Sequence, residues 1–442
     1  MIHNFKKFIK TNDLFSERDW GLLAISGGKD STLMAHLFRE CNYKFGIAHC
    51  NFMLRGEEAD KDQLFVQSLA RKFNVPFYTI NFNTKEIAQK RGISIQMAAR
   101  DLRYKWLAEI QVQNNYQFLA TAHHLNDSIE TLIYNLAKGC GIRGLQGIPM
   151  QNGTIVRPLL FASAKEIEIE VSKRNMPYRA DASNQETKYA RNKIRHNILP
   201  QLEQLNPSLI STFRDNIQRF KDTLLLFNQA VDQFRGQYVT EKNGLLFIDK
   251  TALIQEKAKY TLLYELAKDK GFSNTQIKNI LSPATSVGAI FYSDNFRLLV
   301  DREHFIISPP AYKMEPISIQ YEDLPISIPI LEQKLTFAKL MKHPLSIPND
   351  KNIAFIHAQA VQFPLTIRIW KNGDFFLPLG MGGQRKKIQD FFSDLKLSIF
   401  EKEQQLLIQN GNGDIIWVVG KRLDERYKIK EETTSFYKIS IA

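Results

Sequence analysis

Gly21-Leu22-Leu23-Ala24-Ile25-Ser26-Gly27-Gly28-Lys29-Asp30-Ser31 is the stretch that decides the fold. Five apolar or small residues read as a short strand. Two glycines interrupt it, and helical spacing then runs from Asp30 to Glu40. Adjacent glycines let a backbone turn sharply and approach a ligand closely. The start of a helix aims unpaired N–H groups and a partial positive charge at whatever lies before it. Lys29 adds a full charge, and Ser26 and Ser31 add hydroxyl donors. Ser26, Gly27, Gly28, Lys29, Asp30 and Ser31 are therefore expected to bind the phosphates of a nucleotide. The spacing is not the GxxxxGK[ST] of a Walker loop.

The same alternation continues on either side. Strands are expected at Phe45–His49, Phe77–Ile80 and Phe118–Ala122, and helices at Glu57–Phe73 and Gln96–Gln111. In the first of these helices Leu64, Phe65, Leu69 and Phe73 are expected on one face. Strands alternating with helices predict an α/β unit with a parallel sheet covered on both sides. Ligands of such sheets sit at the carboxyl ends of the strands. The loops after Ile25 and after Ala122 both fall there.

The pattern changes near Asn206-Pro207. From Ser208 to about Lys270 the chain reads as long helices, with Phe213, Ile217, Phe220, Leu224 and Phe227 at helical intervals. Three strands are expected between Ala289 and Ile307. Residues 309–350, rich in Pro and Ile, suit edge strands or a linker. The expected division is 1–207, an α/β nucleotide-binding domain; 208–310, a mainly helical substrate-binding domain; 311–364, a linker or edge segment; and 365–442, a small β-rich C-terminal domain.

The 442 residues carry a formal net charge of +13, which points to a polyanionic partner, most commonly nucleic acid. Only Cys41, Cys50 and Cys140 occur, without CxxC spacing. That argues against a disulfide framework and against a zinc or iron–sulfur site, and it suits a reducing cytoplasm. No apolar run has the length of a membrane span, and Met1 to Lys7 does not read as a secretion signal.

A second cluster follows the Phe118–Ala122 strand: Thr121-Ala122-His123-His124-Leu125-Asn126-Asp127-Ser128-Ile129-Glu130-Thr131. His123 and Asp127, four apart, share a face if a helix begins there. Asp127 equally suits a helix cap, and His123 a buried, hydrogen-bonded imidazole. A glycine-rich run, Gly139-Cys140-Gly141-Ile142-Arg143-Gly144, comes next.

SGGKDS resembles the PP-loop of the N-type ATP pyrophosphatases, the superfamily of GMP synthetase, asparagine synthetase and the tRNA thiolases. Within it, the chain resembles the tRNA(Ile)-lysidine synthetases. The resemblance rests on Ala99–Tyr104, on His123 and Asp127, and on the run from Glu130 to Leu145. It continues through Arg157-Pro158-Leu159-Leu160, Asp181-Ala182-Ser183-Asn184 and Arg191–His196, and through Ile369–Asp374, Pro378–Met381 and Asp424–Lys428. Two departures are Ala122 in place of a glycine and Cys50–Arg55, where relatives carry a His-Gly pair.

The resemblance implies a PP-loop ATPase fold, cleavage of ATP to AMP and pyrophosphate, and lysine transfer to the wobble cytidine of a CAU-anticodon tRNA(Ile). ATP and Mg²⁺ are the implied cofactors. Free L-lysine and the tRNA are the implied partners of a monomer or homodimer. Asp30, His123, Asp127, Arg191 and Arg195 are the expected catalytic residues, and Asp30 and Asp127 the expected magnesium ligands. Two alternatives stand beside this reading: a thiolase-type PP-loop tRNA enzyme, and a nucleic-acid-binding protein with a regulatory ATP site. Arg214, Arg219, Lys221, Lys268 and Gln384-Arg385-Lys386-Lys387 are expected to track phosphates. Phe391 and Phe392 suit either a small core or base stacking.

Overall fold

The computed structural model describes residues 1–179, 190–311, 314–330, 333–341, 350–430 and 433–441. The chain divides into two compact units, Met1–Phe227 and Asn228–Ala442. Asp181-Ala182-Ser183-Asn184 lies outside the described residues.

The first unit is built on a six-stranded sheet. In chain order its strands are β1 (Trp20–Ala24), β2 (Lys44–Asn51), β3 (Phe77–Asn81), β4 (Phe118–Ala120), β5 (Gln151–Asn152) and β6 (Ile155–Val156). Their spatial order is β3-β2-β1-β4-β6-β5, and only β5 runs antiparallel to its neighbour. Successive strand residues face opposite sides. Leu23 joins a core with Phe5, Leu33, Leu37, Phe38, Phe45 and Val66, while Leu22 joins Ala48, Trp106, Leu107 and Leu119 on the other face. Two strand glycines make room for aromatic rings. A Cβ on Gly21 would meet the Phe118 ring at 2.3 Å, and one on Gly46 the Tyr116 hydroxyl at 2.1 Å.

The helices that matter for the site are α1 (Ile2–Thr11), α2 (Lys29–Glu40), α3 (Glu57–Phe73), α4 (Thr84–Arg91), α5 (Ile95–Gln113), α6 (Leu125–Lys138) and α7 (Ala164–Lys173). α3 has the expected bounds but not the full expected face. Val66, Leu69, Ala70 and Phe73 are its buried stripe, and Leu64 is 62% exposed. Helical geometry explains this, because positions i, i+3, i+4 and i+7 align and Leu64 falls off that line. The residues from Ala190 to Leu205 form α8 (Ala190–Lys193), a π turn (Ile194–Ile198) and α9 (Leu199–Leu205). Ile194 and Leu199 pack with Leu125, Ile129 and Leu132 of α6.

In the second unit the expectation of helix through Lys270 gives way at an Asn-Gly hairpin. Strands Val239–Lys242 and Leu245–Asp249 flank Asn243 and Gly244, at φ +53° and +69°. Positive φ at both central positions is what a tight hairpin turn requires, and Asn-Gly supplies it. The two strands belong to a five-stranded antiparallel sheet with Ile290–Tyr292, Arg297–Val300 and His304–Ser308. The described part of 311–364 is strand rather than linker. Ile317–Ile319 pairs with Leu365–Ile369, and Ile326–Ile330 and Gln333–Leu340 form a hairpin beside Phe436–Ile441. Pro329 lies in an edge strand, where a missing N–H is tolerated. Phe391 and Phe392 are 6% and 0% exposed, packed with Phe376 and Ile388. They build the core and offer no face to a base.

Candidate functional site

The sheet order reverses between β1 and β4. β1 is followed in space by β2 on one side, and β4 lies on the other, so the loops leaving these two strands open a crevice at their carboxyl ends. Both sequence clusters lie there. Gly27 holds φ +95°, and its carbonyl accepts the Arg179 N–H at 3.0 Å and the Thr32 hydroxyl at 3.2 Å. Ser26 and Ser31 close the turn across their hydroxyls at 3.1 Å, and the Ser31 hydroxyl donates to the Gly28 carbonyl at 3.0 Å. α2 begins at Lys29 with Gly28 as its cap residue, and no side chain caps it. Lys29 lies 3.9 Å from exposed Glu168.

Across the crevice α6 begins at Leu125. The Asp127 carboxylate accepts the His124 N–H at 2.9 Å, so Asp127 does close the first turn of the helix. It does more than that. Arg195 donates to Asp127 Oδ1 at 3.2 Å and grips Glu130 through Nε at 2.6 Å and Nη2 at 3.0 Å. Arg191 reaches Thr131 Oγ1 at 3.4 Å. Both arginines thus come to the face of α6 that carries Asp127, Glu130 and Thr131.

His124, which the sequence reading passed over for His123, stands between the two acidic positions. Its Nε2 is 3.9 Å from Asp30 Oδ2 and its Nδ1 is 3.5 Å from Asp127 Oδ2. His123 Nδ1 instead meets the Thr121 hydroxyl at 2.9 Å. Glu130 was the other omission. Both had a signal, adjacency to His123 for one and an i+3 position from Asp127 for the other.

Burial governs the electrostatics. It raises the proton affinity of Asp30, and Asp127 adds to this, while His124, Lys29 and Arg195 oppose it. Asp30 Oδ1 is buried without a hydrogen-bond partner among the described residues. Burial likewise pushes Glu130 up against the pull of Arg195, and it pushes His123 down to about 4. His123 is therefore neutral at pH 7.

Beside Ser26 a cavity of about 380 Å³ runs between the ends of β1 and β2 and α5. His49, Cys50, Asn51, Phe52, Gln96 and Arg103 are among its walls. His49 is fixed by its Nδ1, 2.9 Å from the Ile25 carbonyl. Burial pushes the Cys50 thiol up to about 12, so it is no nucleophile at neutral pH. All three cysteines are free.

No cluster of three or more His, Cys, Asp and Glu side chains stands ready for a metal among the described residues. A buried, unpartnered Asp30 oxygen and a second carboxylate at Asp127 suit an ion that takes most of its ligands from phosphates and water, the usual habit of Mg²⁺.

A parallel sheet with a glycine turn at its switch point, a helix start beyond it and a paired acidic half-site define a PP-loop ATP-using enzyme. Residues 1–202 match the family model described as a PP-loop domain, 241–310 the TilS substrate binding domain, and 365–439 the TilS substrate C-terminal domain. The tRNA(Ile)-lysidine synthase of Parabacteroides distasonis is 37% identical, covering 98% of this chain and 98% of its own. The enzymes of that name from Bacteroides thetaiotaomicron and Porphyromonas gingivalis strain W83 are 35% and 36% identical. They cover 97% and 96% of this chain, and 96% and 94% of theirs. The chain belongs to the tRNA(Ile)-lysidine synthase family, ATP-dependent ligases that modify tRNA.

Proposed function

We propose that the chain joins free L-lysine to the wobble cytidine of a CAU-anticodon tRNA(Ile), with Asp30, Asp127 and His124 as the centre of the site. The observation that carries this reading is the meeting of two acidic helix starts at one histidine, directly across from the glycine turn. The cytosine ring oxygen attacks the α-phosphate of ATP, and pyrophosphate leaves. The ε-amine of lysine then attacks the adenylated carbon, and AMP departs.

The turn from Ser26 to Ser31 supplies N–H and hydroxyl donors to the departing pyrophosphate, with Lys29 adding charge. Asp30 and Asp127 would hold Mg²⁺, which when bound offsets phosphate charge. Arg195 holds the Asp127 and Glu130 carboxylates in place through one guanidinium. Arg191 lies one turn away, positioned to meet a phosphate. The attacking lysine amine must be neutral, although free lysine is mostly protonated at pH 7. Desolvation of the amine in the crevice favours its neutral form. His123, held near 4 by burial and bound to the Thr121 hydroxyl through Nδ1, is a neutral hydrogen-bonding wall rather than the base.

Mass analysis of nucleosides from CAU-anticodon tRNA(Ile), incubated with the protein, ATP and lysine, is the direct test. A lysine-sized gain on cytidine supports the reading, and sulfur incorporation or no gain overturns it. Asp127→Asn is expected to lower lysine-dependent AMP release by at least 100-fold. Wild-type turnover in that variant would remove Asp127 from the chemistry.

A further inference from the structure

Of the cations expected to hold RNA, several are engaged within the protein. Arg214 pairs with Glu166 at 3.3 Å and Lys268 with Glu265 at 2.6 Å. Lys386 pairs with Asp394, and Arg385 lies over the Phe375 ring. Lys421, Lys242 and Lys351, also in the second unit, have no such partner among the described residues.

Lys421 sits in the turn between strands Ile415–Val418 and Arg422–Leu423, where Gly420 takes φ +70°. Its side chain is half-buried and makes no hydrogen bond or ion pair among the described residues. It is the shared wall of two cavities, of about 280 and 510 Å³. Lys242 and Asn243 of the Asn-Gly hairpin line the first, together with Gln404 and Gln405. Lys351, Arg422 and Lys428 line the second. Burial lowers the proton affinity of Lys421, and Lys242 and then Lys351 lower it further, with Glu401 alone opposing them.

The acidic groups on these walls, Glu401 in the first cavity and Asp350 in the second, are outnumbered by Lys421, Lys242, Lys351, Arg422 and Lys428. Glu401 accepts the Ser398 N–H at 2.9 Å, Asp350 accepts the Asn352 N–H at 2.8 Å, and Glu425 pairs with Lys428. Gathering more cations than carboxylates around a half-buried amine costs free energy in the free protein, and an anion removes that cost. Single phosphates and ATP share this chemistry. Lysines on the rims of two adjoining open cavities, contributed by a hairpin and by a separate sheet, suit an extended polyanion better than an enclosed small ligand.

The geometry points to Lys421, flanked by Lys242 and Lys351, as a seat for a backbone phosphate of the tRNA. This rests on the proposed function, because it takes the substrate to be a tRNA. The contact carries no base information and sets affinity and position. It also ties the 241–310 and 365–439 modules to one strand of RNA.

The test uses the full chain. Binding of CAU-anticodon tRNA(Ile) is measured against salt for wild type, Lys421→Ala and Lys421→Arg. Lys421→Ala is expected to bind roughly fivefold more weakly, with the log–log salt slope reduced by about 1, and Lys421→Arg to restore both. Amine-reactive footprinting read by mass spectrometry supplies a second measurement that needs no variant. Lys421 is expected to be protected by tRNA and not by millimolar ATP or inorganic phosphate.

Unchanged affinity and slope in Lys421→Ala, or no protection by tRNA, overturns the seat. Equal protection by ATP or phosphate overturns the RNA assignment. If lysidine is still formed by wild type in either case, the proposed reaction stands and only the seat falls. If wild type binds the tRNA with Lys421 protected but forms no lysidine, the reaction falls instead.

Discussion

Gly27 shows how one residue can be required for its backbone rather than for its lack of bulk. A Cβ there would meet Phe65 and Val66 at 3.5 Å, ordinary contact distance, so space is not the obstacle. The obstacle is φ +95°, which L-residues rarely adopt. Gly27→Ala is therefore expected to cost about 1–2 kcal/mol or to flip the turn. Pyrophosphate release should fall more than tenfold while the melting temperature drops only a few degrees. Full activity in that variant would show that the turn's geometry is dispensable. Asp30 and His123 could be singled out at this scale, since a phosphate turn and a polar residue at a strand end are local signals. His124 could not. Which of two adjacent histidines lies between the carboxylates depends on where β4 ends and α6 begins, and β4 stops at Ala120 rather than Ala122.

Among the elements, α6 and the α8–α9 segment are joined by one ion-pair network. Arg195 clamps Glu130, which is 2% exposed, and reaches Asp127 from the same guanidinium. Removing the arginine leaves a buried carboxylate that must protonate or pull in water. Because the Arg195 side chain is 34% exposed, solvent screens part of the loss, and Arg195→Met is expected to cost about 1–3 kcal/mol. Adding Glu130→Gln should recover most of that stability in chemical denaturation without recovering lysidine formation. Recovery of both would reduce Arg195 to a structural role. Elements with strong periodicity, such as α3 and the hairpin from Arg297–Val300 to His304–Ser308, were read from sequence with near-correct bounds. The Val239–Asp249 hairpin was missed because its two short strands follow a 30-residue helix, and helical spacing was extended through an Asn-Gly turn.

At the scale of the whole molecule, buried histidines set the acid limit. Burial lowers the pKa of His49 and takes that of His123 to about 4, below the unfolded value near 6.5. Between those values the unfolded chain binds more protons than the folded one, so stability is full above about pH 6.5 and falls as pH drops. Asp30 and Glu130, raised by burial, act in the opposite direction. The melting temperature is accordingly expected to fall between pH 7 and 5.5, and His49→Gln to flatten the fall. A profile flat over that window in wild type would contradict the buried neutral state.

The sequence alone determined the α/β class, the phosphate turn, the basic balance and the family resemblance, because strand–turn–helix spacing and charge count are local or additive. Tertiary structure decided which side chains converge. Asp30 and Asp127 are 97 positions apart, and they meet at His124 only because β1 and β4 are neighbours in a sheet whose order reverses between them. The lysines around Lys421 are likewise distant in the chain, and only folding places their like charges at adjoining cavities. Pairing over such separations is set by strand order and packing, and short-range spacing does not encode it.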